Sequence, residues 1–159
     1  MSAKTLPNGD DRDVAILGAF FADECQVREF IKSNSERFDA LANQWKRETK
    51  FVSNVTAKST HTAYQRIIGM GPAAVPFIMD DLEKNGPNDW FWALHAITGE
   101  NPITEEMAGN MVSMTEAWKR WWSNEDCLPV FLQRTKHAFQ AYFTKNIESR
   151  VKKTQPTTA

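Results

Sequence analysis

Apolar residues in this chain return every three or four positions, and no stretch keeps the apolar-polar alternation that a half-buried strand requires. Val14, Leu17, Phe20, Phe21, Val27, Phe30 and Ile31 lie on or near one helical face, and Met111, Met114, Trp118, Trp121 and Trp122 form a second such stripe. Phe131, Phe139, Tyr142, Phe143, Ile147 and Val151 form a third. These stripes are cut by corners that a helix does not cross: Gly69-Met70-Gly71-Pro72, Asn85-Gly86-Pro87, Gly99 followed by Pro102, and Pro129. The pattern predicts an all-α fold, a compact array of about seven helices.

The first helix is expected over 13–32, with Asp10, Asp11 and Asp13 at its positive N-terminal end. Ser33 and Glu36 have the spacing of a capping box and predict a boundary, with a second helix from there to residue 50 carrying Phe38, Leu41, Trp45 and Thr49. Residues 51–59 give a weak signal, in which Val52 and Val55 fit a short extended segment, a loop or a frayed helix. A short helix over 60–69, started by His61, presents Tyr64, Ile67 and Ile68; the next carries Val75, Phe77, Ile78 and Leu82. Asn88 or Asp89 is expected to cap an almost wholly apolar helix over 90–98, closed by Gly99. The polar ends, 1–12 and 154–159, are expected to be disordered around a single domain over 13–153.

With 159 residues, 42% hydrophobic and 25% charged, the chain lies far from the composition of disordered proteins. Its six Trp and ten Phe are expected to supply much of the core. The formal net charge of −1 gives no overall attraction to nucleic acid or to an anionic membrane, but the charge is unevenly spread. Over 72–110 Lys84 is the sole Lys or Arg among many acids, whereas from Lys119 onward bases prevail. Cys25 and Cys127 stand far apart and in no metal-binding spacing, which argues against a disulfide framework and for a reducing, cytoplasmic setting. No secretory leader and no apolar window of about 18 residues is present, so no membrane association is expected.

Motifs of catalysis are hard to find. The glycines of Ile68-Gly69-Met70-Gly71-Pro72 superficially fit a dinucleotide-binding turn, but the residues before them are polar and helical in pattern, and Pro72 lacks an N–H where phosphate would need one. His61, His95 and His137 fall on separate helices with no metal-spaced companion. Asp80, Asp81 and Glu83 read as a solvated outer face, and neither cysteine has a neighbouring base. The sequence thus calls for no metal and no cofactor, and it shows no catalytic motif.

The run Gly71-Pro72-Ala73-Ala74-Val75-Pro76-Phe77-Ile78-Met79-Asp80-Asp81-Leu82 resembles the second helix of a HEAT-type repeat, in which small residues allow close crossing and spaced aliphatics pack between layers. Such a hairpin would cover roughly 60–99. Trp45-Lys46-Arg47-Glu48-Thr49, Tyr64-Gln65-Arg66-Ile67-Ile68-Gly69-Met70-Gly71 and Trp90-Phe91-Trp92-Ala93-Leu94-His95-Ala96-Ile97-Thr98-Gly99 resemble the hallmark runs of a family of small bacterial proteins. That likeness implies a fold and a relative, and no activity. The chain departs from the pattern at His61-Thr62, where His-Pro is expected, and in Trp121-Trp122.

The functional expectation is a non-enzymatic protein-binding module, an adaptor, inhibitor or antitoxin-like component of a bacterial system. Tyr64, Gln65, Trp90, Trp92 and His95 are its expected contact residues. On a helix Trp90 and Trp92 point about 200° apart, so one can enter the core while the other faces a neighbouring layer or solvent; core packing is the expectation for both, and one left exposed would be a natural partner anchor. The alternative is a nucleic-acid-binding accessory protein of a mobile-element or phage-defence complex. It would use Arg134, Lys136, Lys145, Arg150, Lys152 and Lys153 on the last helix.

Overall fold

The computed structural model describes residues 24–154, with side chains over 25–145. Among these residues there are seven α-helices and no strand: α1 (Glu24–Glu48), α2 (Val55–Ser59), α3 (Thr62–Ile68), α4 (Val75–Asn85), α5 (Phe91–Thr98), α6 (Met111–Ser123) and α7 (Val130–Thr154). The expected all-α array is therefore what the chain forms. α1 packs on α3 and α7 and meets α4 through Lys46–Asp81 and Phe38–Phe77, α3 packs on α5, and α4 touches α5, α6 and α7. The expected helix segment before Glu24 and the polar ends over 1–12 and 155–159 lie outside the described residues.

α1 corrects the expected boundary at Ser33. Ile31, Phe38, Leu41, Ala42 and Trp45 form one continuous buried stripe, and Asn34 donates to the Phe30 carbonyl within the helix at 2.8 Å. Burial along that whole face outweighs a local cap that contributes about 1 kcal/mol. The ambiguous stretch after α1 contains the short helix α2, started by the Asn54 side chain, which accepts from the Ala57 amide. None of its residues is buried; it is held from outside, by the Trp45 indole donating to the Lys58 carbonyl at 3.0 Å and by a Lys58–Asp89 ion pair at 2.6 Å.

The corner between α3 and α4 turns at Gly71, whose φ of 64° is left-handed, while Gly69 is right-handed at −64°. A non-glycine residue at Gly71 would be strained by the clash of its Cβ with the backbone. A 3₁₀ turn over Gly71–Ala74, with Pro72 in its first turn, leads directly into α4. No strand enters the corner, which removes the dinucleotide reading on structural grounds.

Aromatic side chains from four helices and their joints fill the centre. Trp90, with no exposed surface, lies 4.4 Å from Trp45, 5.5 Å from Tyr64 and 5.7 Å from Phe38 between ring centroids. Phe38 stacks on Phe77, which meets Phe139 edge to face at 5.1 Å and so ties α1 and α4 to α7. Trp118 and Trp121 meet edge to face at 5.2 Å, both indole N–H groups buried without an acceptor among the described residues. They contribute apolar area, whereas Trp90 also has a polar anchor.

That anchor is Asp81, which departs from the expected solvated face of Asp80, Asp81 and Glu83: Glu83 is exposed and Asp80 half-buried, but Asp81 turns inward. Asp81 is buried and accepts from the Trp90 indole at 2.7 Å, from Lys46 at 2.5 Å, and from the Asn85 and Asn88 amides at 2.7 and 3.3 Å. Burial alone would raise its pKa, but the hydrogen bonds from Lys46, Trp90 and Asn85 and the Lys46 charge together hold it below the ordinary value of 3.8. Its contribution to stability is therefore present above pH 3.8 and is lost as the pH falls through the lower folded value.

Asp81→Asn is expected to lower the unfolding free energy by about 2 kcal/mol at pH 7, with Lys46 partly in solvent and its pairing correspondingly screened. Denaturant melts should show that difference narrowing as the pH drops below 3.8, where the wild-type carboxyl also takes up its proton. Trp90→Ala is expected to cost more, about 3–5 kcal/mol, by leaving both a cavity and a poorly satisfied carboxylate.

Candidate functional site

α5 starts at Trp90 without a side-chain cap of its own, and the two residues expected to cap it make other bonds. Asn88 donates to Asp81, and Asp89 pairs with Lys58. The orphan amide of Ala93 is satisfied from another helix: the Tyr64 hydroxyl of α3 accepts from it at 3.0 Å and donates to the Asp89 carbonyl at 2.8 Å. Burial pushes the Tyr64 phenol well above its ordinary range, so the hydroxyl keeps its proton and its donor role. At the other end, Gly99 takes a left-handed φ of 73° and its amide bonds to the His95 carbonyl.

With both ends fixed and Phe91, Ala93 and Leu94 also buried, α5 presents one outer face. Trp92 stands on it at 56% exposure, against 0% for Trp90, so the core packing expected of both holds for Trp90 and is corrected for Trp92, which points the opposite way. His95, three residues on, is exposed with its ring centroid 6.1 Å from that of Trp92. Its Nδ1 lies 2.9 Å from the Glu100 carbonyl, which can only accept; Nδ1 therefore carries the proton and fastens the loop after α5 to this face. In the neutral ring that leaves Nε2 as the acceptor.

The five expected partner-binding residues thus separate. Trp92, His95 and Gln65 are exposed, although the Gln65 amide is engaged by the Ser59 carbonyl at 2.7 Å, where it closes the end of α2. Tyr64 and Trp90 are corrected: both are wholly buried and act through the fold, one capping α5 and the other filling the core. On α7, Arg134 and Lys145 are exposed, while the side chains of Arg150, Lys152 and Lys153 lie outside the described residues. Lys136 is likewise corrected. It is buried, donates to the Trp122 carbonyl at 2.7 Å and lies 5.2 Å from the centre of the Trp122 ring, an anchor for α7 rather than a phosphate contact.

The histidines stay apart. His61 starts α3 as expected, accepting from the Ala63 amide at 3.2 Å, with its other nitrogen 2.9 Å from Glu48, and His137 lies 3.2 Å from Glu125. No group of three potential metal-binding side chains occurs among the described residues. An apolar cleft between α1, the corner and α7 is lined by Val27, Phe30, Ala73, Pro76 and Phe139. Its polar members, Asn34 and Thr135, are both bonded to carbonyls of their own helices. A cleft with so few polar groups has little means of orienting a ligand.

Sequence reasoning missed several exposed apolar residues, Phe51 and Val55 in the α1–α2 region and Val112 at the start of α6. Phe51, at 92% exposure, sits in the weak stretch where no periodicity assigned it a face.

Because Trp92 touches little of the core, Trp92→Ala is expected to change the unfolding free energy by no more than about 0.5 kcal/mol. Tyr64→Phe, one oxygen smaller, should cost about 1–3 kcal/mol by leaving the Ala93 amide unsatisfied. Chemical denaturation of the two variants side by side checks the contrast.

No family model, no curated protein and no solved structure matches this chain. No helix among the described residues is long and apolar enough to cross a membrane.

Proposed function

We propose that this chain is a non-enzymatic protein-binding module that docks its partner on the outer face of α5. The observation that carries the reading is Trp92: a large, amphipathic side chain more than half exposed on a helix whose other side is committed to the core. Trp is enriched among the few residues that dominate binding energy at protein interfaces. A tryptophan hides about 150–250 Å² when buried. Covering the exposed part, roughly half, is worth about 2–3 kcal/mol at ~25 cal/mol per Å².

His95 supports the same face with an exposed imidazole whose orientation is fixed by Glu100. The surface is also rigidly placed, since Tyr64 and Gly99 secure the two ends of α5, and a preformed surface loses little conformational freedom on binding. A HEAT-like hairpin formed by α3 and α4 would be the scaffold behind it. An adaptor, an inhibitor or an antitoxin-like component of a bacterial system is the kind of small helical protein this reading fits. The nucleic-acid alternative loses Lys136 to the fold, and no observation favours it over the α5 face.

The test is affinity capture from the source cell with the full chain as bait, followed by measurement of the captured complex with purified partner. Trp92→Ala, folded as the wild type, is expected to weaken the complex about 30-fold, the equivalent of about 2 kcal/mol. A captured partner bound equally well by wild type and Trp92→Ala would reject the α5 face as the docking surface.

A further inference from the structure

The α5 face and the loop leaving it are distinguished by their charge. Between Lys84 and Lys119 the chain contains no Lys or Arg, while it carries Asp89, Glu100, Glu105, Glu106 and Glu116. Internal partners take up the acids closest to the core: Asp81 has Lys46, Asp80 has Lys84 and Asp89 has Lys58. Glu116 pairs with Lys119 within α6. Glu100, Glu105 and Glu106 are exposed, and none forms an ion pair with another described residue. The first of them belongs to the residue whose carbonyl is bound by His95, the neighbour of Trp92.

From this we infer that the partner of the α5 face is a lysine- or arginine-bearing protein segment, received with a cation over the Trp92 ring and further cations against Glu100, Glu105 and Glu106. The inference rests on the reading of Trp92 as the docking residue and adds the chemistry of what docks. An indole ring attracts ammonium and guanidinium groups through its negative face, most strongly when the contact is shielded from water. Exposed carboxylates on the loop that leaves α5 speed the encounter with a cationic partner and disfavour acidic ones. An anionic partner such as nucleic acid has no cation to meet on this stretch.

A selection of random 12-residue peptides displayed on phage, on the immobilised full chain, tests this. Recovered peptides are then titrated against wild type, Trp92→Ala, Trp92→Phe and the triple variant Glu100→Gln/Glu105→Gln/Glu106→Gln, each checked for an unchanged melt. Peptides enriched in Lys and Arg are expected. Their affinity should fall about tenfold or more in Trp92→Ala, less in Trp92→Phe, which keeps a weaker ring face. The triple variant should also weaken them about tenfold at low salt, and that difference should shrink as added salt screens the carboxylates. Peptides that need Trp92 but show no excess of Lys or Arg would overturn the cationic partner while leaving the docking face intact. Peptides whose binding ignores Trp92 would overturn both.

Discussion

The hydrogen bond from the Trp90 indole to the buried carboxylate of Asp81 is the interaction on which the rest of this fold depends. It joins the start of α5 to α4, and the same carboxylate takes the Lys46 ammonium from α1. A buried charge is tolerated only when its lone pairs are occupied, and here four donors, from α1, α4 and the turn that leads into α5, occupy them. The indole itself is enclosed by Phe38, Trp45 and Tyr64, so the polar anchor and the aromatic core are one construction. Replacing either partner therefore affects the packing of α1, α4 and α5 together.

From that anchor the face proposed for docking follows by geometry. Once Trp90 is turned into the core, the helical advance of about 100° per residue turns Trp92 away from it. Tyr64 caps the amide of Ala93 and so holds the first turn in register, and Gly99 allows the chain to leave the last turn without strain. His95 then holds the start of the following loop against the same side through its bond to the Glu100 carbonyl. Trp92, His95 and the start of the loop at Glu100 are thus held together on the outer side of α5.

The all-helical architecture was legible because helical spacing of apolar residues is a local signal, repeated in several stripes and punctuated by Gly and Pro. The start of α3 at His61 was legible for the same reason, and so were the opposed directions of Trp90 and Trp92, but not that Trp92 would be left exposed, since core packing was expected for both. What was hidden depends on residues distant in sequence. Asp81 looks solvated beside Asp80 and Glu83, and only the fold brings Lys46, 35 positions away, against it. The cap of α5 came from Tyr64 rather than from Asn88 or Asp89, because tertiary partners had already engaged both. Ser33 misled because a capping sequence is worth less than an uninterrupted buried stripe. Lys136 misled because a long side chain can bury its stem and still satisfy its ammonium on a carbonyl.

Solvent exchange of the indole N–H protons, followed by NMR with assignments from single Trp→Phe variants, tests the central claim most directly. If Asp81 locks Trp90 into the core while Trp92 stands free, the Trp90 indole proton is protected to near the level of global unfolding and that of Trp92 exchanges as in an open chain. Rapid exchange at Trp90, or protection at Trp92 equal to that of Trp90 in the isolated protein, would contradict the account.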